Sequence, residues 1–81
     1  MAFTEKDNTL KAEFKFKDFR LAFAFMTEVA FAAEAANHHP EWSNVYNTVV
    51  VKLTTHDAGN TVTQKDHDLA FSISKIYGKY A

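Results

Sequence analysis

The stretch from Leu10 to Asn37, LKAEFKFKDFRLAFAFMTEVAFAAEAAN, changes its hydrophobic period once and sets out the first half of the fold. Every second residue from Leu10 to Phe16 is apolar, and lysines and a glutamate stand between them. A period of two is typical of a strand with one buried face. After Asp18 the apolar residues recur at spacings of three and four, which predicts a helix from Phe19 onward.

The predicted helix has a start and a stop signal. Asp18 is the expected N-cap, because its carboxylate can accept the free amide bonds of the first turn. Pro40 cannot continue a helix and biases His39 toward extended conformations, so the helix should end just before His38. A membrane span is excluded, since Arg20, Glu28 and Glu34 interrupt the run before the ~20 apolar residues that a span needs.

This helix is apolar on more than one side. One stripe consists of Phe19, Phe23, Met26, Ala30 and Ala33, and a second apolar set beside it contains Leu21, Ala24, Phe25, Ala32 and Ala35. All-round apolar helices are usually buried, so we expect one face to pack on a sheet and the other on a second subunit. Replacement of Phe25 by glutamate would test the subunit contact.

The second half of the chain predicts a hairpin and a helix. Two alternating runs, Trp42-Asn44-Tyr46 and Val49-Val51-Leu53, flank Asn47-Thr48, which predicts a two-residue turn, with one bent strand as the alternative. Residues 55–60 indicate a loop. A capping-box-like Thr63-x-x-Asp66 then opens a helix marked by Leu69, Ile73, Ile76 and Tyr80. The predicted fold is a single α+β domain over residues 1–81, a small antiparallel sheet of three to four strands with helices packed on one face.

Composition narrows the class of protein. An 81-residue chain buries too little surface for a robust monomer, so a homodimer or homotetramer through residues 19–36 is expected. The absence of cysteine rules out disulfides and thiolate metal sites and leaves the cytoplasm as the expected location. Nine basic and ten acidic residues argue against nucleic acid as the main ligand. The N-terminus lacks the apolar segment of a signal peptide.

Three histidines stand in non-helical places, the pair His38-His39 before Pro40 and His56 in Thr54-Thr55-His56-Asp57. Imidazole titrates near neutrality, so a convergent group could act as acid and base on one substrate. Taken singly, each is more often a helix cap or surface residue. A metal site of the three histidines and Asp57 is less favoured, because no metal-ligand spacing is present. His67 is expected to be solvated.

Several neighbours of these histidines have two interpretations. Glu34 precedes His38 by four residues and could orient it, but is equally well an ordinary solvated helix residue. Asp66 is most simply the capping-box partner of Thr63. Trp42 and Tyr46 could form the wall of a pocket for a flat heterocycle, but aromatic residues that alternate in a strand more often belong to the core.

The run from Glu34 to Tyr46, EAANHHPEWSNVY, followed by Thr55-His56 and then by Asp66-x-x-Leu69-Ala70, closely resembles the pterin-4a-carbinolamine dehydratases. Upstream, FKFKDF at 14–19 and AFxFM at 22–26 fit the same family, so the match extends from about residue 10 to 76. The resemblance implies dehydration of 4a-hydroxytetrahydropterin to quinonoid dihydropterin, which recycles tetrahydrobiopterin. It implies no metal and no organic cofactor.

The resemblance also implies a site. Its active-site histidines correspond to His38, His39 and His56, and we expect His56 and His38 to form the acid-base pair while His39 binds the pterin. Further pterin contacts are expected at Asn37, Trp42, Thr54, Thr55 and Asp57, with Glu34, Pro40 and Asp66 in support. Relatives often carry an acidic residue where this chain has Asn37. The loop between His56 and Asp66 is a residue longer here than in close animal relatives.

Two further expectations follow from the resemblance. Animal relatives serve as a dimerisation cofactor of a homeodomain transcription factor, so a non-catalytic oligomerisation or coactivator module is the alternative function. That role would add a nuclear location and a transcription-factor partner, without direct contact to nucleic acid or membrane. Relatives usually carry a helix and a short strand before the segment matching Leu10, and this chain starts too late to hold them, so the sheet could have three strands.

Overall fold

The computed structural model describes residues 2–81, which form four strands and two α-helices around one core. The elements are β1 (Thr4–Lys6), β2 (Thr9–Lys15), α1 (Phe19–Ala36), β3 (Glu41–Val45), β4 (Thr48–Leu53) and α2 (Gln64–Tyr77), with a single 3-10 turn at His56–Ala58. The strand order is β1-β2-β4-β3 and every neighbouring pair is antiparallel. The predicted α+β class is confirmed, with four strands in the sheet.

The core lies between the sheet and the helices. The alternating apolar residues of β2 and β4 are buried as predicted, namely Leu10, Ala12 and Phe14 on β2 and Val49, Val51 and Leu53 on β4. The ring of Phe25 on α1 lies 5.1 Å from that of Phe14 and 5.0 Å from that of Phe16, centroid to centroid. Ile73 of α2 is fully buried in the same cluster. Both helices therefore contribute to one core on one face of the sheet.

The ends of α1 agree with the sequence prediction. The carboxylate of Asp18 accepts a hydrogen bond from the Leu21 N–H at 2.9 Å, which makes it the N-cap. Asn37 ends the helix in the left-handed conformation with φ of 50°, a conformation that asparagine tolerates better than most residues. The His38 N–H then donates to the Ala33 carbonyl at 3.1 Å. The histidine pair therefore begins directly after the helix.

The buried face of α1 differs from the predicted stripe. It consists of Ala22, Phe25, Val29 and Ala33, whereas Phe19 and Phe23 are 47% and 56% exposed. The apolar stripes of this helix overlap, so spacing alone does not select the face that packs on Phe14 and Phe16 of β2. Phe25 is a core residue, and its replacement by glutamate would test folding instead of a subunit contact.

β1 is an element that the polar N-terminal sequence did not predict. All three of its residues are exposed, so no alternation marks it as a strand. Asp7 and Asn8 join β1 to β2 with φ of 53° and 62°. Positive φ at both central residues is typical of a type I′ hairpin turn, and Asp and Asn tolerate it. The sheet accordingly has four strands and not three.

The predicted β3–β4 hairpin is confirmed, but its turn lies one residue earlier than expected. Val45 pairs with Thr48, so the turn residues are Tyr46 and Asn47. The Asn44 side-chain amide donates to the carbonyls of Tyr46 and Thr48 at 3.2 and 2.9 Å and holds this turn. In the sequence the alternation of Trp42 and Asn44 continues to Tyr46. Tyr46 was therefore included in the strand, and the turn was predicted one residue too late.

The capping box at the start of α2 is present as predicted, with the Thr63 N–H donating to Oδ2 of Asp66 at 2.8 Å. Leu69, Ile73 and Ile76 are buried, whereas Tyr80 lies beyond the end of the helix and its hydroxyl donates to Glu28 of α1. Within residues 2–81, neither helix has the length and apolar character needed to cross a membrane.

Candidate active site

Three segments meet at one end of the sheet. The turn between α1 and β3 carries His38 and His39, and Glu41 just after it pairs with Lys52 near the end of β4. The chain after β4 carries His56, and the first turn of α2 carries Asp66. The antiparallel register therefore brings residues that are distant in sequence to the same end of the sheet.

Asp66 joins all three segments. Its side chain is fully buried, and its Oδ1 lies 2.6 Å from Nε2 of His38. Its Oδ2 accepts hydrogen bonds from the Thr55 hydroxyl at 2.7 Å and from the Thr63 N–H at 2.8 Å. The helix cap predicted for Asp66 is thus combined with a contact to the histidine turn.

The carboxylate of Asp66 is held in its charged form. Burial raises its pKa, but the hydrogen bonds from His38, the Thr63 N–H and Thr55 together outweigh burial and lower the pKa below its ordinary value. A charged carboxylate is an acceptor, so Nε2 of His38 carries the proton in this pair. The other ring nitrogen of His38, Nδ1, does not contact Asp66.

His39 and His56 line one pocket of about 280 Å³, together with Thr9, Pro40, Glu41, Lys52 and Thr54. The Nε2 atom of His39 lies 2.8 Å from Oε1 of Glu34, and Nδ1 of His56 lies 2.6 Å from Oδ1 of Asn60. Each imidazole is therefore oriented through one ring nitrogen, while its second nitrogen is left for another partner. His38 lines a separate recess of about 160 Å³ between α1 and α2.

Of the two interpretations of Glu34, the orientation of His38 is not found, because Glu34 contacts His39 and is largely exposed. The left-handed conformation of Asn37 takes the chain off the helical path, so the i to i+4 relation no longer applies to His38. His38 turns to Asp66 instead. The Glu34 and His39 side chains are 80% and 60% exposed, so their ion pair adds little to stability.

The other predicted pterin contacts have different surroundings. Thr54 lines the pocket, and its hydroxyl donates to the Asn8 carbonyl at 3.0 Å. Thr55 is buried and bonded to Asp66, so its hydroxyl is occupied. Asn37 and Asp57 are exposed, and Trp42 packs against the core outside the pocket lining. His67 is exposed, as predicted.

Four residues at the site were not predicted, namely Thr9, Glu41, Lys52 and Asn60. Lys52 lies near the end of β4 and Thr54 directly follows the strand, two residues further on. This spacing places both on the outer face of the sheet, and the hairpin register would have indicated it. Asn60 follows His56 by four residues and adopts a φ of 59°. Within residues 2–81, no three histidine or carboxylate side chains are grouped as ligands of a metal ion.

The comparisons with known proteins fit this fold and identify the family. The family model for pterin 4 alpha carbinolamine dehydratase matches residues 2–76. Two curated relatives named "Putative pterin-4-alpha-carbinolamine dehydratase" are 54% identical over 76 residues, from Rhodopseudomonas palustris HaA2, and 52% identical over 75 residues, from Solibacter usitatus Ellin6076. The matches cover 94% and 93% of this chain and 74% and 78% of those proteins. The chain belongs to the pterin-4-alpha-carbinolamine dehydratase family.

Two solved structures share the fold. The transcriptional coactivator/pterin dehydratase from Brucella melitensis superposes with a TM-score of 0.88 at 42% identity, over 94% of this chain and 82% of that one. A pterin dehydratase-like protein identified as a RuBisCO assembly factor in the alpha-carboxysome superposes with a TM-score of 0.77 at 18% identity, over 94% and 87% of the two chains. At that identity the second likeness extends to the fold alone.

Proposed function

We propose that this protein is a 4a-hydroxytetrahydrobiopterin dehydratase, a hydro-lyase that converts the pterin 4a-carbinolamine to quinonoid dihydropterin. The observation that carries the proposal is that two oriented imidazoles, His39 and His56, line one pocket of about 280 Å³. Ligand sites usually measure about 300–1,000 Å³. This pocket lies just below that range, which favours a small ligand such as a single bicyclic ring. Membership of a dehydratase family supports the same reaction.

The proposed chemistry is proton transfer at two positions of the ring. The bond between C4a and its hydroxyl oxygen breaks, and an imidazolium protonates the departing oxygen so that water leaves. The adjacent ring nitrogen supplies the electron pair for the new double bond to C4a and gives its proton to a neutral imidazole. Each such transfer typically contributes about 10² to 10⁴-fold. The reaction needs no redox partner.

The pocket lining modifies the roles expected from sequence. His39 and His56 are proposed as the acid-base pair because both line the pocket. His38 is proposed to act indirectly. Its bond to the charged Asp66 fixes the turn that also carries His39. No organic cofactor enters this scheme.

The test is a direct assay. Purified protein should accelerate the dehydration of chemically generated 4a-hydroxytetrahydropterin above the spontaneous rate, followed by the absorbance of the quinonoid product. The controls are heat-denatured protein and buffer that contains free histidine at the concentration of the protein's histidine residues. A native, folded sample that leaves the spontaneous rate unchanged would contradict the enzymatic proposal.

A second candidate function is a binding role through α1, and a specific surface favours it. Phe19, Phe23 and Phe31 form an aromatic stripe on one i to i+4 row of α1, with the exposed Thr27 between Phe23 and Phe31. The three rings are 47%, 56% and 74% exposed. An exposed aromatic stripe of this kind is typical of a protein-protein contact. The similar Brucella protein is described as a transcriptional coactivator as well as a pterin dehydratase. A homodimer or homotetramer through α1, and a cytoplasmic or nuclear location, belong to this proposal.

The oligomer proposal predicts the effect of Phe31→Glu. A carboxylate on the aromatic stripe should dissociate the oligomer, because an unpaired charge in an apolar interface is strongly unfavourable. Sedimentation velocity at micromolar concentration should show the shift, with an unchanged circular dichroism spectrum. Tyr46→Glu is the matched control, since Tyr46 is 62% exposed in the β3–β4 turn. A monomeric wild type would refute the proposal.

A further inference from the structure

The outer face of the sheet carries a groove next to the histidine pocket. This lysine groove has a volume of about 350 Å³ and is lined by Thr4, Lys6, Asp7, Thr9, Lys11 and Lys52. Thr9 and Lys52 also line the histidine pocket. The two cavities are therefore neighbours along the same surface, and a ligand in one can extend into the other.

The positive charge of this groove is only partly neutralised by neighbouring acidic residues. Lys11 stands directly opposite Lys52 in the pairing of β2 with β4. Like charges in directly opposed positions of an antiparallel pair are destabilising. Lys52 has Glu41 at 4.0 Å, but neither Lys6 nor Lys11 takes part in any of the ion pairs formed within residues 2–81. Asp7 is the one acidic residue in the lining.

The spacing suits a short extension from the pocket. Lys11 follows Thr9 by two residues on β2, which places the two residues about 7 Å apart along the strand. Thr9 belongs to both cavities, so a substituent of a few atoms on a ring in the histidine pocket reaches the lysine amines. Flexible lysine side chains cover the remaining distance, since each carries a mobile four-carbon stem.

We propose that Lys6, Lys11 and Lys52 form a subsite for an anionic group on the pterin side chain, either a phosphate ester or a carboxylate. This inference rests on the proposed dehydratase function and deepens it by naming the substrate class. Ammonium groups bind phosphate and carboxylate through charge-assisted hydrogen bonds. A nucleic acid is disfavoured as the ligand, because Glu13 and Glu41 interrupt the lysines on this face and the net charge is −1.

The test compares pairs of pterins in which one member carries an anionic side chain and the other a neutral one. Fluorescence titration at low salt uses neopterin against its monophosphate in one arm, and 6-methylpterin against pterin-6-carboxylate in the other. We expect the wild type to bind at least one anionic ligand about tenfold more tightly than its neutral counterpart, and Lys11→Gln to reduce that ratio below about threefold. Salt at about 0.3 M should reduce the wild-type ratio as well.

The matched control is Lys15→Gln, which removes the same charge from the same strand at the far end of β2, opposite Thr48. It should keep the wild-type ratio. A preference confined to the phosphate arm or to the carboxylate arm identifies the anion, and both results support the subsite. A ratio near one in the wild type, or one that Lys11→Gln leaves intact, overturns it.

The outcomes distinguish failure of the anion subsite from failure of the proposed dehydratase function. If the wild type dehydrates a pterin with a neutral side chain but shows no charge preference, the subsite fails and the dehydratase proposal stands. If neither pterin of a pair binds, the subsite fails, and the dehydration assay decides the dehydratase proposal separately. Binding of a single-stranded oligonucleotide that is lost in Lys11→Gln, without discrimination between pterins, would assign the lysines to nucleic acid and overturn the subsite.

Discussion

Replacement of His56 by alanine is expected to lower the rate of 4a-carbinolamine dehydration by about 10² to 10⁴-fold, because one of the two pocket imidazoles is lost. His39→Ala should cause a loss of the same order, since His39 lines the same pocket. Initial rates above the spontaneous reaction measure both effects. His38→Ala should lower the rate at least about tenfold through the altered turn, and its stability must be measured in parallel.

The matched control for these variants is His67→Ala. His67 is exposed on α2 and lies outside the pocket lining, so its loss should leave the rate unchanged. Sedimentation and circular dichroism should show that each variant keeps the wild-type assembly and fold. Full activity in both His39→Ala and His56→Ala would refute the catalytic assignment and favour the binding module.

Replacement of Asp66 by alanine is expected to destabilise the protein by about 3–5 kcal/mol, the range for breaking a buried charged network. The change leaves the Thr55 hydroxyl, the Thr63 N–H and Nε2 of His38 without their acceptor. Urea denaturation measures the free energy of unfolding. Asp68→Ala is the control, because Asp68 is exposed two residues away and its loss should change stability by about 0.5 kcal/mol or less.

The pH dependence of stability provides an independent check on Asp66. Its folded-state pKa lies below the ordinary value of 3.8, so the carboxylate stabilises the fold fully above that value. The contribution is lost as pH falls through the depressed folded pKa. In Asp66→Asn the loss of stability between about pH 5 and 2 should be shallower than in the wild type. Parallel curves for the two proteins would contradict the role given to Asp66.

Local sequence patterns predicted the elements whose signals are also local. The alternation in β2 and β4, the Asp18 cap and the Thr63 capping box each depend on residues within a few positions of one another, and all are present. β1 was missed because its three residues are exposed and lack a period. The buried face of α1 was misassigned because its apolar stripes overlap and only contact with the sheet selects one.

The site was predicted in composition but not in its contacts. The histidine pair and His56 were identified as candidates, and the structure places His39 and His56 in one pocket. The contact between His38 and Asp66 joins residues 28 positions apart, so no short-range spacing could reveal it. A contact of Glu34 with His38 was one of two interpretations, and it is absent because one left-handed residue, Asn37, ends the helical relation on which it depended.

The bonds of Asp66 have a consequence for how the pocket forms and disappears. Helix α2 supplies the carboxylate of Asp66. Two of its partners come from other segments, the Thr55 hydroxyl from the chain after β4 and Nε2 of His38 from the turn after α1. Detachment of α2 from the sheet would therefore release the turn after α1 and the chain after β4 together. Native-state hydrogen exchange should accordingly find the amides of Thr63 and His38 opening with the same free energy, as one cooperative unit.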